Sequence, residues 1–187
     1  IGFLMILMQR LVTSSTAAIR TTLEKRQALL NEPQPQASLF DSTEMDEWAE
    51  LDGQSQVDIA VQTSGWAQEK AEVDLLLNLA RETEAQGTDA KAEALLELIY
   101  KLQQEENDPT MKVLIFTEFV PTQAMLAGFL ESRGFSVALL NGSMDLDTRT
   151  KAQQAFSQDV RVLVSTDAGG EGLNLQFCHV IVNFDMP

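Results

Sequence analysis

Hydroxyl, carboxylate and glycine residues gather directly after four short apolar runs in the second half of the sequence. The runs are Val113–Phe116, Val137–Leu140, Val160–Val164 and Val180–Phe184. The residues that follow them are Thr117-Glu118-Phe119, Asn141-Gly142-Ser143-Met144, residues 165–172 and Asp185-Met186-Pro187. Hydroxyl groups and the backbone amides of glycine-containing turns donate hydrogen bonds to phosphate, so these residues suit a phosphate-bearing ligand.

The apolar runs predict parallel strands that place these polar residues together. Each run is continuous and does not alternate with polar residues, as expected of strands covered by helices on both faces. Helical segments at about 121–133 and 146–157 separate the first three runs, which gives a βαβαβ order. Ligands of such open sheets bind beyond the carboxyl ends of the strands. The sequence therefore predicts an α/β fold whose polar turns lie along one edge of a parallel sheet.

The turn at residues 165–172 carries the most glycine. Gly169, Gly170 and Gly172 let the backbone approach a ligand, and Ser165 and Thr166 supply hydroxyl donors. The same glycines are equally suited to a tight strand-to-helix turn with no ligand, because glycine-rich turns are common. This turn alone leaves both interpretations open.

Longer stretches of sequence carry a family resemblance. VLIFTEF at 113–119 resembles motif IV of superfamily 2 helicases, and FSVALLNGSM at 135–144 resembles the following strand with its phosphate-contacting Gly-Ser turn. VRVLVSTDAGGEGLNLQ at 160–176 resembles motif V in its Swi/Snf form. Residues 89–102 resemble the helix that leads into this lobe, and residues 7–26 resemble the helical approach of bacterial members similar to the RNA-polymerase-associated ATPase. The chain is thereby identified as similar to the C-terminal RecA-like lobe, a three-layer α/β lobe preceded by helical segments.

The resemblance implies a role for each matching position. Nucleic acid would be contacted by Thr117, Gly142, Ser143, Ser165 and Thr166. The ATP cleft would be lined by Gly170, Glu171, Gly172 and Asn174. In the family, ATP and Mg²⁺ lie between this lobe and a first RecA-like lobe, so the implied partners are that first lobe and nucleic acid, with duplex DNA expected. No catalytic residue, metal ligand or bound cofactor is expected for this chain alone.

Several parts of a complete motor are missing from this sequence. It has no G-x-x-x-x-G-K-[ST] loop and no DEAD/DEAH-type box, on which phosphoryl transfer depends. The family's motif VI, with its arginine finger, is expected shortly after Pro187. We therefore expect this chain alone neither to hydrolyse ATP nor to translocate. Arg133, Arg149 and Arg161 are expected to be surface or structural residues, and His179 beside Cys178 is too small a set for a metal site.

Composition divides the chain into four parts. Residues 1–31 predict an N-terminal helical segment, with helicity weakened at the hydroxyl run 13–16. Residues 32–66 predict a mobile acidic linker or insertion, a candidate docking element for a protein partner. Residues 67–109 predict a helical pair, broken at Gly87 and capped by Thr88 or Asp89. By the resemblance, residues 110–187 would form the C-terminal lobe, incomplete before motif VI, in which Asp145 and Asp147 are expected to cap and charge a helix start.

The formal charge of −15 constrains how nucleic acid can bind. Residues 32–109 hold 19 acidic and four basic residues, whereas residues 110–187 hold eight acidic and five basic residues. We therefore expect that bulk electrostatic attraction alone does not hold DNA or RNA on this chain. Contacts must be local, through backbone amides, hydroxyl groups and a few placed cations.

These observations favour one function and leave two alternatives. The favoured function is the C-terminal motor lobe of an ATP-dependent DNA translocase that remodels nucleoprotein complexes. The alternatives are a conventional superfamily 2 DNA or RNA unwinding helicase, and a non-catalytic α/β binding module. The apolar stretch Ile1–Met8 is too short to span a bilayer and the single cysteine cannot form an internal disulfide, so we expect a cytoplasmic protein. The resemblance to bacterial family members implies that it is bacterial and associated with the nucleoid. The residues do not distinguish DNA from RNA or define the oligomeric state.

Overall fold

The computed structural model describes residues 2–31, 53, 55, 69–167, 178 and 180–185. The described elements are α1 (Gly2–Ser14), α2 (Thr16–Asn31), α3 (Glu69–Ala85), α4 (Ala90–Glu105), β1 (Val113–Thr117), α5 (Val120–Glu131), β2 (Val137–Leu140), α6 (Leu146–Ser157), β3 (Val162–Thr166) and β4 (Val180–Asn183). The chain divides into two compact units, residues 1–87 and 88–187. The division falls between α3 and α4, so the two helices predicted at 67–109 lie in different units. Apart from residues 53 and 55, the predicted acidic segment lies outside the described residues.

The first unit begins with two helices, not one continuous helix. The helical segment predicted over residues 1–31 is interrupted at Ser15, within the hydroxyl run 13–16 that weakens the prediction of helix there. The Ser15 hydroxyl accepts a hydrogen bond from the Ala18 amide at 3.0 Å, so it caps the start of α2. None of the described helices is both long and apolar enough to cross a membrane.

Helices α2 and α3 pack against each other within this unit. Their buried contact is made by Leu23, Val73 and Leu77, with Ile19 and Leu30 at its edge. Polar pairs border the contact: Arg20 Nε donates to Glu84 at 2.6 Å, and Gln27 Nε2 donates to Asp74 at 2.6 Å. The later α2 residue of these pairs, Gln27, contacts the earlier α3 residue, Asp74, so the two helices run antiparallel.

The described strands of the second unit form a parallel sheet in the order β2-β3-β1-β4. Strands β1 and β2 begin at the predicted residues, but β3 begins two residues later than predicted and continues through Thr166. Ser165 and Thr166 are therefore the last residues of a strand, whereas the sequence had placed them in the turn that follows it. They extend the strand because Ser165 is paired with Leu140 on one side and Thr166 with Thr117 on the other.

Helices cover both faces of this sheet, which confirms the predicted three-layer α/β fold. One face packs against α4 and α5, through buried residues that include Leu95, Ile99, Ile115, Leu126, Leu130 and Val164. The opposite face packs against α6, through Leu114, Leu140, Phe156 and Leu163. Burial on both faces explains why the strands are continuous apolar runs.

Two local features fix where α4 begins. Gly87 has a φ of 153°, a backbone conformation that L side chains rarely adopt, so the chain turns there after α3. Asp89 then accepts hydrogen bonds from the Lys91 and Ala92 amides at 2.9 and 3.2 Å. Asp89 is thus the N-cap of α4, one of the two caps that the sequence suggested.

Candidate phosphate-binding rim of the sheet

The polar residues predicted to share one edge of the sheet lie at the carboxyl ends of parallel strands. The register pairs Thr117 with Thr166 and Leu140 with Ser165, so β1, β2 and β3 end side by side. Neighbouring strands are about 4.8 Å apart, so the turns that follow them are close together. We call this edge the rim, and it comprises residues 117–119, 141–144, 165–167 and 184–185.

The turn after β2 exposes Gly142 and Ser143 to solvent. Asn141 is 7% exposed and organises the turn from beneath. Its Oδ1 accepts hydrogen bonds from the Ser143 amide at 3.2 Å and from the Ser143 hydroxyl at 2.7 Å. The turn therefore leaves Gly142 and Ser143 accessible to a ligand. The Ser143 hydroxyl has to rotate away from Asn141 before it can donate to a ligand.

A buried glutamine connects this turn to the sheet. Gln123 lies in the first turn of α5 and is 1% exposed. Its Nε2 donates to the carbonyls of Leu140 at 2.9 Å and Val164 at 2.8 Å, and its Oε1 accepts from Asn141 Nδ2 at 3.0 Å. Sequence reasoning missed Gln123, although a glutamine on the sheet-facing side of an apolar helix was a detectable signal.

A buried carboxylate connects the ends of β1 and β4. Asp185 Oδ2 accepts hydrogen bonds from the Thr117 hydroxyl at 2.6 Å and the Glu118 amide at 2.7 Å. Asp185 Oδ1 pairs with Lys91 Nζ of α4 at 3.3 Å, and that ammonium group also lies 4.1 Å from the Phe184 ring centroid. The sequence indicated Asp185 only as one of the polar residues at the rim. The hydrogen bond to Asp185 holds the Thr117 hydroxyl inside the lobe.

The strand residues expected to contact nucleic acid are buried in this lobe. Thr117, Ser165 and Thr166 are 1%, 0% and 4% exposed, and the Ser165 hydroxyl donates to the Thr166 carbonyl at 2.9 Å. Of the five residues expected to contact nucleic acid, the structure exposes Gly142 and Ser143. Gly170, Glu171, Gly172 and Asn174, expected at the ATP cleft, lie outside the described residues.

Carboxylates outnumber cations around the rim. Glu118, Asp167 and Asp185 belong to it, and Asp145 follows the turn after β2. Asp145 caps α6 as expected, because its Oδ1 accepts from the Thr148 amide at 2.7 Å. That amide, and then the Thr148 hydroxyl, hold the pKa of Asp145 below its ordinary value. Among the described residues, no cluster of His, Cys, Asp and Glu could hold a metal ion.

Two arginines considered from the sequence lie away from the rim. Arg133 precedes β2, pairs with Glu93 at 2.8 Å and lies 3.7 Å from the Phe129 ring centroid. Arg161 precedes β3 and lies 4.8 Å from the Phe135 ring centroid. Both are at the amino ends of strands, on the opposite edge of the sheet, where they support packing as expected.

Comparison with known proteins shows which family the sheet-containing unit matches. A family model described as the helicase conserved C-terminal domain matches residues 90–187. The match begins at the first residue of α4, close to the division between the two units at residues 87 and 88. The matched part therefore corresponds to the unit that contains the sheet and the rim.

Three relatives illustrate the range of proteins that share this part. An uncharacterized ATP-dependent helicase, YqhH, of Bacillus subtilis (strain 168) is 36% identical over 99 residues, which cover 53% of this chain and 16% of that protein. Protein CHROMATIN REMODELING 5 of Arabidopsis thaliana is 36% identical over 94 residues, covering 48% of this chain and 6% of that protein. The ATP-dependent rRNA helicase RRP3 of Encephalitozoon cuniculi (strain GB-M1) is 31% identical over 98 residues, covering 52% and 23%. The similarity thus spans less than a quarter of each relative.

Proposed function

Because this chain belongs to the helicase C-terminal domain family, we propose that it is the second motor lobe of an ATP-dependent translocase that moves along duplex DNA and remodels nucleoprotein complexes. Its part in that activity is to contact the nucleic-acid backbone and to provide one wall of an ATP cleft. The Swi/Snf form of the motif V sequence favours translocation over strand separation. The similarity to a protein named for chromatin remodelling supports the same choice.

The observation that carries the proposal is the exposed Gly142–Ser143 turn at the carboxyl edge of a parallel sheet. A glycine lets a phosphate oxygen come close to the backbone, and the adjacent hydroxyl can supply a second donor once it turns outward. Such contacts position a protein on a nucleic-acid backbone without reading its sequence, as a translocase requires. Thr166, which is paired with Thr117 at the end of β1, is proposed as a further contact if the strand end becomes accessible on binding.

The buried hydroxyls take a supporting role in this proposal. Thr117 donates to Asp185, and Ser165 donates to the backbone of Thr166, so each hydroxyl proton is already used. We infer that both residues hold the rim in shape, and that nucleic acid meets the exposed turn first. Contact of Thr117 or Ser165 with a phosphate would require exchange of those internal bonds.

The proposal includes ATP and Mg²⁺ because the family resemblance implies them. Gly170, Glu171, Gly172 and Asn174 are proposed to face the nucleotide from this lobe. By resemblance to the family, we propose that the Mg²⁺ ligands come from the first RecA-like lobe. When bound, ATP would supply the phosphate groups that the two lobes contact, and Mg²⁺ would neutralise part of their charge.

The acidic surroundings of the rim determine the type of contact. With Glu118, Asp145 and Asp167 nearby, we expect phosphates to be held mainly by neutral N–H and O–H donors and a few placed cations, and not by a broad positive field. Few counterions would then be displaced, so binding by this lobe should be weak and should depend only shallowly on salt. Tight binding would require the other lobe.

Steady-state ATP hydrolysis tests the proposal. The protein used should join this lobe to a first RecA-like lobe, and the rate is measured alone and with duplex DNA, single-stranded DNA or single-stranded RNA. Stimulation by duplex DNA is expected. Stimulation by RNA alone would instead favour an RNA helicase, and no hydrolysis under any condition would favour a non-catalytic binding module.

A further inference from the structure

The turn that carries the proposed phosphate contacts depends on a relay of three polar side chains. Gln123 contacts the carbonyls of Leu140 and Val164, and its amide oxygen accepts from Asn141. Asn141 in turn accepts from the amide and hydroxyl of Ser143. Gln123 and Asn141 are 1% and 7% exposed, so the relay runs from the interior of the lobe to its surface.

We propose that Gln123 is a positioning residue for nucleic-acid binding, which fixes the Gly142–Ser143 turn through Asn141 and links it to the end of β3. The inference rests on the proposed function, because it assigns a purpose to the turn that the function requires. Gln123 does not touch the nucleic acid itself. It acts through the orientation of another side chain.

The direction of each hydrogen bond explains why an amide is needed at position 123. Gln123 Oε1 accepts from Asn141 Nδ2, and this contact turns Asn141 Oδ1 towards Ser143. If the Asn141 amide were reversed, its NH₂ group would face the Ser143 amide and hydroxyl, which are donors, and the turn would lose its acceptor. Gln123 therefore selects the single Asn141 orientation that holds the turn.

The second pair of bonds connects the turn to the neighbouring strand. Gln123 Nε2 bridges Leu140, the last residue of β2, and Val164, which precedes Ser165 in β3. An apolar side chain would fill the same space without the cost of burying an amide. A fully satisfied polar network fixes one geometry, so Gln123 ties the two strand ends together in one arrangement.

The experiment uses the ¹⁵N-labelled 187-residue chain and a short DNA duplex as the probe. The dissociation constant is taken from duplex-induced shifts of the Gly142 and Ser143 amides, a method suited to weak binding. The variants are Gln123→Met, Asn141→Ala and the double variant. The matched control is Leu126→Ala, because Leu126 is fully buried in the same helix but has no hydrogen bond to the turn. The exchange rate of the Ser143 amide is recorded without DNA.

We expect each relay variant to raise the dissociation constant about five- to tenfold, as when a fixed donor is no longer held in place. The double variant should add almost nothing further, because both substitutions break the same relay. Leu126→Ala should lower stability and leave the dissociation constant unchanged. Exchange of the Ser143 amide should accelerate in both relay variants and not in the control.

Three results would overturn the inference. These are wild-type affinity in both relay variants, additive losses in the double variant, or an equal loss of affinity in Leu126→Ala. If Gln123→Met does not fold, Asn141→Ala and the exchange rate of its Ser143 amide decide the question. If the wild-type amides show no duplex-induced shift, the proposed function fails at this rim. The exchange rates then still decide whether Gln123 orders the turn.

Discussion

Replacement of Asp185 by alanine should strongly destabilise the sheet-containing unit. The carboxylate is 5% exposed and accepts from the Thr117 hydroxyl at 2.6 Å and the Glu118 amide at 2.7 Å. Removing it leaves two donors without an acceptor, each costing about 1 to 3 kcal/mol when buried. The Lys91 pair adds little, about 0 to 1 kcal/mol, because the lysine side chain is 39% exposed.

These contributions sum to about 2 to 7 kcal/mol, and because both donor contacts are only part-buried we expect a loss in the lower half of that range, about 3 to 4 kcal/mol, for Asp185→Ala. Asp185→Asn keeps one acceptor oxygen but loses the charge, so its loss should be smaller, about 1 to 2 kcal/mol. Hydrogen exchange of the β1 and β3 amides is the appropriate assay, because it reports the unfolding of this unit separately from the helical unit. The larger loss corresponds to exchange about 100- to 1,000-fold faster.

Asp159→Ala is the matched control, because Asp159 is an exposed aspartate of the same unit at the opposite edge of the sheet. Its effect should stay within about 0.5 kcal/mol. A loss below about 1 kcal/mol for Asp185→Ala would refute the reasoning. So would equal effects of Asp185→Ala and Asp159→Ala.

Three further predictions concern single groups. Partial burial favours a higher pKa for Glu24, but hydrogen bonds from Arg81 and Arg20 outweigh it and hold that pKa below its ordinary 4.5. The contribution of Glu24 to stability is therefore present above this pH and is lost as the pH falls below it. Exchange of α2 amides should accelerate on acidification, and Glu24→Gln should flatten that dependence. Asp89→Ala should cost about 1 kcal/mol by removing the N-cap of α4, measured by exchange of α4 amides, whereas Asp89→Ser should cost much less. Burial raises the pKa of the Cys178 thiol, so its alkylation at pH about 8 should be slower than that of glutathione and should reach the glutathione rate in urea.

The fold was predictable because its determinants are local or periodic. The continuous apolar runs gave β1 and β2 their first residues and required helices on both faces. Gly87 and Asp89 marked the break and cap between α3 and α4 through backbone preferences that act within a few residues. The order of strands along the sheet follows from the pairing of β1 with both β3 and β4, a long-range choice that periodicity does not encode.

The candidate site was predictable in its position and less so in its chemistry. Ser165 and Thr166 looked like turn donors, but pairing with neighbouring strands draws them into β3 and buries them. Gln123 and Asp185 carry the longest-range polar contacts at the rim, joining residues 17 to 94 positions apart in sequence. Such pairings depend on tertiary contacts. Residue types along the sequence can therefore locate the rim, but they do not show which of its hydroxyl groups already donate to acceptors inside the lobe.

The most direct test of the phosphate-binding rim is site-specific photocrosslinking to duplex DNA. A photoreactive group is attached at Ser143→Cys or at Ser136→Cys, two exposed positions beyond opposite ends of β2, with Cys178→Ser in both. The protein carries this lobe joined to a first RecA-like lobe. The rim account predicts crosslinks from position 143 and none above background from position 136. Equal crosslinking at both positions, or crosslinking from 136 alone, would contradict it.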